Sequence, residues 1–256
     1  MRGVSGAHVT ISGSVATKAA PAGPTRERLH AQCHWLREHH TAPVVQVNRK
    51  VVGGYDMEVL HEWGHIPFPA ARLIAPAEKL WSRPAEVELD LDAHQDWVNT
   101  KFNVANEYVG IWHLIEEACD LWAYVRNRTQ HLTRCLTHGD LTRVNTMARH
   151  APNGRVDSVL IDPIPATPAC ADVWVFDVSK MFVSLLGYEH VAYGWSPPDV
   201  CDRLWISELM MRMNPVEVEC VRYMGVVQVA RMLPYHPEEM HDGLTDIARQ
   251  ALRLRP

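Results

Sequence analysis

At 256 residues and 47% hydrophobic content, the chain can bury a substantial core, either as one large domain or as two lobes sharing an interface. A formal net charge of −5 and a pI near 6.3 leave no Lys/Arg block to displace counterions, which argues against nonspecific nucleic-acid binding. No run of about 18 apolar residues is free of charge, and the amino terminus lacks the apolar core of a signal peptide. A cytoplasmic protein with no membrane partner is therefore expected. Six cysteines (Cys33, Cys119, Cys135, Cys170, Cys201 and Cys220) form no C-x-x-C pair and read as reduced, mostly buried thiols.

From Gly3 to Lys18, glycines and alternating β-branched residues predict two short strands that turn at Ser12-Gly13. After the breaker "AAPAGP", residues 25–40 read as a helix with Thr25 as N-cap and Leu29, Cys33 and Leu36 on one face. Strand character returns in "APVVQVNRKVVGGYDMEVL", with a turn expected at Asn48-Arg49. Beyond Pro67 the period becomes helical, with tryptophans at 97, 112 and 122. A strand-rich stretch from about 135 to 162 turns at Pro152-Asn153-Gly154, and helices resume from Pro197. The expected class is α+β: a small antiparallel-sheet lobe with one helix over 1–60, a larger mainly helical lobe over 61–256, and a ligand cleft between them.

"HEWGH" at residues 61–65 has the spacing of a zinc peptidase helix, in which two imidazoles one turn apart hold the metal and a glutamate acts as base. Gly64 inside the motif and Pro67 and Pro69 just after it oppose a continuing helix, and no third ligand stands out. His61 and His65 are read instead as a partly exposed polar face.

"LTHGDLTRVNTM", followed by "VDSVLIDP", holds Asp140, Asn145 five residues later, and Asp162 at the end of an apolar run. These are the groups that phosphoryl transfer needs. One carboxylate receives or orients the hydroxyl proton, while an amide oxygen and a second carboxylate hold Mg²⁺ against the nucleotide phosphates.

With its form His-Gly-Asp-x-x-x-x-Asn, the loop at His138–Asn145 resembles the catalytic loop of the aminoglycoside phosphotransferase and choline kinase group, whose fold is two-lobed and protein-kinase-like. The resemblance implies Asp140 as catalytic base, Asn145 and Asp162 as metal ligands, and ATP or GTP with Mg²⁺ as phosphoryl donor. It also implies that Gly3, Ser5 and Gly6 cover the phosphates, that Lys18 contacts them, and that Met57, Glu58 and Leu60 lie in the segment seating the purine.

Two departures are visible. Gln32 stands where the family's helix carries the glutamate that pairs with the lysine, with Glu27 and Glu38 the nearest carboxylates. "CADVWVFDVSK" matches the family's G-D-P-x-x-D-L-A-K element at Asp177 and Lys180 but lacks the Gly-Asp-Pro. Asp177 is expected to accept hydrogen bonds from the catalytic-loop backbone, while for Lys180 the plainer alternative to a role in the element is a solvated helix residue. Thr142 occupies the position where protein kinases usually have lysine, which argues against a protein substrate.

The expected function is phosphotransfer to a hydroxyl of an aminoglycoside, a sugar or a choline-like alcohol. A polycationic acceptor would be met by Glu86, Glu88, Asp90, Asp92, Glu116, Glu117 and Asp120. A non-catalytic nucleotide-binding module is the alternative, and a zinc peptidase the remote one.

Overall fold

Residues 8–12 and 15–19 pair antiparallel as β1 (His8–Ser12) and β2 (Val15–Ala19), with the reversal at the expected Gly13. In this computed structural model, residues 7–61, 70–108 and 110–256 are described. Gly3, Ser5 and Gly6 of the expected phosphate loop lie outside them, as do Glu62 to His65 of the His-Glu-x-x-His stretch. With β3 (Val47–Val51) and β4 (Gly54–Glu58), the strands form one antiparallel sheet in the order β1-β2-β4-β3.

The turn expected at Asn48-Arg49 is not there. Both residues lie in β3, where the register slips between Val47 and Arg49, and the chain reverses at Val52-Gly53. Gly53 has φ 81°, and a Cβ there would sit 2.7 Å from the Ala20 carbonyl oxygen, so the reversal falls where only glycine fits.

Helix α1 (Pro24–Glu38) buries Leu29, Cys33 and Leu36 as the periodicity requires, together with Gln32 and Trp35. It begins one residue before the expected Thr25 cap. Gly23 is the N-cap and Pro24, lacking an N–H that would go unsatisfied there, opens the first turn.

The rest of the described chain is mainly helical: α2 (Ala71–Trp81), α3 (Leu91–Ala105), α4 (Trp112–Arg126), α5 (Trp174–Leu185), α6 (Tyr188–Tyr193), α7 (Val200–Met211), α8 (Pro215–Met232) and α9 (His241–Leu252). Helix α8 forms the core, with α3, α4, α5 and α9 packed around it. Its apolar residues run all round rather than along one stripe, which suits a helix enclosed on every side. Asn214 and Glu217 cap its start reciprocally, satisfying amides that would otherwise be buried without partners.

Strands in the expected 135–162 stretch are confined to one hairpin, β5 (Thr146–His150) and β6 (Val156–Leu160), which turns at Pro152–Gly154 as anticipated. Residues 135–145 are loop, ending in a 3-10 turn at Arg143–Asn145. The hairpin also ties the helical part to the sheet. His61 and Ala148 exchange backbone hydrogen bonds of 3.0 and 2.8 Å, Val45 N–H donates to Leu160 O at 3.0 Å, and Arg149 forks onto the Glu58 carboxylate.

All six cysteines are free, but only Cys33, Cys135 and Cys220 are buried, while Cys119 and Cys201 are exposed. Among the described residues, no helix is long and apolar enough to cross a membrane.

Candidate active site

The loop carrying Asp140 is held from beneath by two buried aspartates. Asp177, in the first turn of α5, accepts the backbone N–H groups of His138 (2.8 Å) and Gly139 (2.7 Å) and the Trp81 indole N–H (3.1 Å). This is the role expected for it. Asp172 accepts four more, from Thr137 N–H, Thr137 Oγ1, Glu86 N–H and Val87 N–H, at 2.9 to 3.0 Å. It stands one residue before the aspartate position of the Gly-Asp-Pro element that the sequence lacks, and sequence reasoning missed it. The available signal was an acidic residue beside a long apolar run.

Gly139 is needed where it is. Its φ is 76°, and a Cβ would lie 2.1 Å from the Ile164 carbonyl oxygen, because His138 O receives Ile164 N–H at 2.8 Å and draws the two segments together. Beside it, His138 is fully buried, and that burial pushes its pKa down so that the ring stays neutral.

Asn145 Nδ2 donates to both the Asp140 backbone oxygen and Asp140 Oδ2, each at 2.8 Å. Both partners only accept, so the amide orientation is determined and Asn145 Oδ1 is turned away from the loop. Ile161 N–H donates to Asn145 O at 2.9 Å, bringing Asp162 alongside. The open end of the β5–β6 hairpin thus carries Asn145 and Asp162 together. Asp162 is the one non-glycine residue with positive φ among those described, at 57°, a conformation usually left to glycine or asparagine. Such local strain is typical of functional positions.

From the sheet, Lys18 reaches across to the same place. Its ammonium pairs with Asp162 and donates to Gln32 Oε1 at 3.5 Å, with only 5% of the side chain exposed. Gln32, not Glu27 or Glu38, is therefore the α1 partner of Lys18, and Glu38 pairs with His34 instead.

At the junction of the two parts, Glu58 commits its N–H to Gln46 O and its carboxylate to Gln46 N–H and Arg149. Met57 lies in β4 opposite Ala16 and Val47. Val59 and Leu60 direct no backbone group to any described residue.

Lys180 departs furthest from expectation. It is 3% exposed rather than solvated, and its ammonium lies 3.3 Å from Asp140 Oδ1, 3.2 Å from the Met232 sulfur and 5.4 Å above the Tyr188 ring. Arg231, at the end of α8, places Nη2 3.5 Å from the same Asp140 oxygen. Burial alone would raise the Asp140 pKa, but Lys180 and Arg231 outweigh it and hold the carboxyl below its usual range. Desolvation pushes the Lys180 pKa down, and Asp140 only partly restores it. Neither cation was singled out near Asp140 beforehand, because a Lys or Arg on a helix reads as surface until its neighbours are known.

Five of the seven acidic residues considered for a polycationic acceptor are engaged elsewhere, and among the described residues Glu116 and Asp120 are not. Glu88 pairs with Arg134, Asp92 with Arg126, Glu117 with Arg222 and Glu86 with His39, while Asp90 caps α3. Among the described residues no group of three His, Cys, Asp or Glu side chains is arranged to hold a metal ion.

No protein-family model and no curated protein matches the sequence. Solved structures do match, along nearly the whole chain. A fructosamine-3-kinase, described as putative, from Thermobifida fusca YX-ER1 superposes with a TM-score of 0.60 at 17% identity, over 94% of this chain and 86% of that one. A choline/ethanolamine kinase family protein from Mesorhizobium loti gives 0.55 at 11% identity, over 97% and 86%. A thermostable mutant of an aminoglycoside phosphotransferase, in ternary complex with AMP-PNP and hygromycin B, gives 0.54 at 11% identity, over 96% and 93%. The chain has the fold of these small-molecule kinases. Within that kinase fold, the loop, the hairpin and the sheet lysine converge on one place.

Proposed function

We infer that the protein transfers the γ-phosphoryl group of ATP or GTP to a hydroxyl of a small molecule. The observation that carries this reading is the fixing of Asn145: its amide N–H₂ is tied to Asp140, and its backbone oxygen accepts Ile161 N–H, one residue before Asp162. On this reading a base and two metal donors come from one loop and the hairpin that follows it.

In the reaction, the acceptor hydroxyl oxygen bonds to the γ-phosphorus as the bond from that phosphorus to the β,γ-bridging oxygen breaks. The hydroxyl proton passes to Asp140 and on to solvent, and the products are a phosphate ester and a nucleoside diphosphate. Asp140, held ionised by its cations, orients the hydroxyl and takes the proton late, as suits a loose transition state.

The donor set suits Mg²⁺. Asn145 Oδ1 makes no hydrogen bond to a described residue, Asp162 keeps 35% of its side chain exposed, and both are hard oxygens. Bound there, the ion would neutralise phosphate charge. Lys18, released from Asp162 toward the phosphates and steadied by Gln32, would add to that neutralisation, with Gly3, Ser5 and Gly6 covering them. The purine would lie against the segment from Met57 to Leu60. Its backbone contacts come from the uncommitted 59–60 stretch, with the Glu58 side chain serving as a strut to Arg149.

Transfer from radiolabelled ATP or GTP with Mg²⁺, against a panel of hydroxyl acceptors, tests the reading. Asp140→Ala should lower turnover by about 10³-fold or more while nucleotide binding persists. A variant of near-normal rate would sink the assignment of Asp140. Nucleotide binding with no transfer to any acceptor would favour a binding module.

A further inference from the structure

Asp140 faces more positive charge than its own carboxylate balances. Lys180 lies beneath it, 4% exposed, with its ammonium directed to Asp140 Oδ1 and the Met232 sulfur. That single pairing already neutralises Asp140. Arg231 approaches the same oxygen from α8 with 18% of its side chain exposed, and the 3.5 Å contact is the one ion pair it makes among the described residues.

A guanidinium carries five donors in a planar fork, and a single long contact leaves most of that fork without a protein acceptor. No second carboxylate among the described residues pairs with it. Glu189, the other acid near Lys180, is buried and accepts from Ser184 Oγ at 2.6 Å and from Arg143 N–H at 3.1 Å. Asp202 is taken by Arg143. On α3 and α4, Asp92 pairs with Arg126 and Glu117 with Arg222. His236, which shares a 3.3 Å contact with the Tyr188 hydroxyl, adds no negative charge.

We propose that Arg231 binds an oxyanion on the acceptor, a carboxylate or a phosphate, so that the substrate is a small hydroxyl compound carrying negative charge rather than a polycation. This rests on the kinase reading and sharpens it. A bidentate oxyanion would satisfy the fork that Asp140 leaves open, and holding it there places a nearby hydroxyl within reach of Asp140. The two bound groups would stand at most about 9 Å apart, given one hydrogen bond at each end of the Arg231–Asp140 gap. A cationic acceptor would meet Arg231 and Lys180, with Asp140 the carboxylate that both of them contact.

The test uses two matched series with Mg²⁺ and ATP: glycerate, glycerol 3-phosphate, glycerol and 3-amino-1,2-propanediol, then gluconate, sorbitol 6-phosphate, sorbitol and 1-amino-1-deoxysorbitol. For each compound, phosphate-ester formation and the shift in Tm of the nucleotide-loaded protein are both measured, in the parent and in Arg231→Gln. The expected result is a preference of about 100-fold or more in kcat/KM, or a Tm shift, for an anionic member over its neutral isostere, collapsing to a few-fold or less in the variant. The carboxylate and phosphate arms tell which oxyanion is meant. Any change in Asp140 itself affects every member of a series alike and cancels in the ratio. Equal or better use of the neutral or amino member by the parent overturns the proposal, as does an anion preference unchanged in Arg231→Gln or the absence of both transfer and Tm shift with every anion. An Arg231-dependent anion shift in a protein that never transfers phosphate would instead keep the anion site and sink the kinase reading.

Discussion

The sheet and the helical part each bury one lysine against one aspartate of the cleft, and the two pairs are built differently. Lys18 stands on β2 between Asp162 and the neutral Gln32, and its aspartate is 35% exposed. Lys180 stands on α5 under Asp140, with a sulfur, an aromatic ring and a second cation around it, and its aspartate is 26% exposed. The first pair spans two parts of the molecule and, on the proposed function, would open for a metal ion and phosphates. The second lies within the helical part, enclosed by α5, α6 and α8, and sets the charge of a group without leaving it. One lysine is thus placed to be exchanged, the other to stay.

Removing each lysine should break the comparison in different observables. Lys18→Met is expected to lower kcat/KM for nucleotide by about 10²-fold or more, with the acid limb of the pH–rate profile unmoved. Lys180→Met should move that limb to higher pH. The sign follows from the depressed Asp140 pKa: with the nearer cation gone, the carboxyl protonates at higher pH, and a loss of about tenfold or more deepens as pH falls. Identical pH profiles in the two variants would make the pairs equivalent.

A smaller effect is expected from Gly139→Ala. It forces a Cβ to within 2.1 Å of the Ile164 oxygen at a positive φ and should cost about 3 kcal/mol of stability in denaturant unfolding. An unchanged midpoint would show that the Asp140 loop is not held to Ile164 as described.

The smallest change sharpens the sheet pair alone. Gln32→Glu gives Lys18 a charged partner on α1, loosening its hold on Asp162, and should lower the Mg²⁺ concentration for half-maximal rate about threefold. A rise would mean that Lys18 remains on Asp162 when the metal enters.

The parts of this site that were legible in the sequence are the ones whose geometry is local. Asp140 and Asn145 share one loop, Asp162 follows one hairpin later, and the Lys18 strand has the alternation that any strand needs. Asp177 could be anticipated because it sits in a recognisable element, even with its Gly-Asp-Pro lost. The burial of Lys180 against Asp140 and the places of Arg231 and Asp172 were not legible. Their meaning lies in partners brought together only when α5 and α8 pack beneath the loop, and an isolated charge on a helix carries no mark of burial. The misplaced turn has the same origin: a slip of register in β3 let Asn48-Arg49 continue as strand, and the constraint that decided the matter was the close approach of Gly53 to Ala20.

The β5–β6 hairpin bears on how such chains can vary in length. Asn145 precedes its first strand and Asp162 follows its second, while its tip at Pro152–Gly154 projects away from both. Adding one residue to each strand leaves the open end unchanged and merely moves the tip outward. A lone residue added to one strand alone slips the register and turns alternate side chains to the opposite face. Natural or engineered lengthening between these two donors should therefore occur in even steps, and the exposed tip is where a reporter peptide could be inserted without disturbing the cleft.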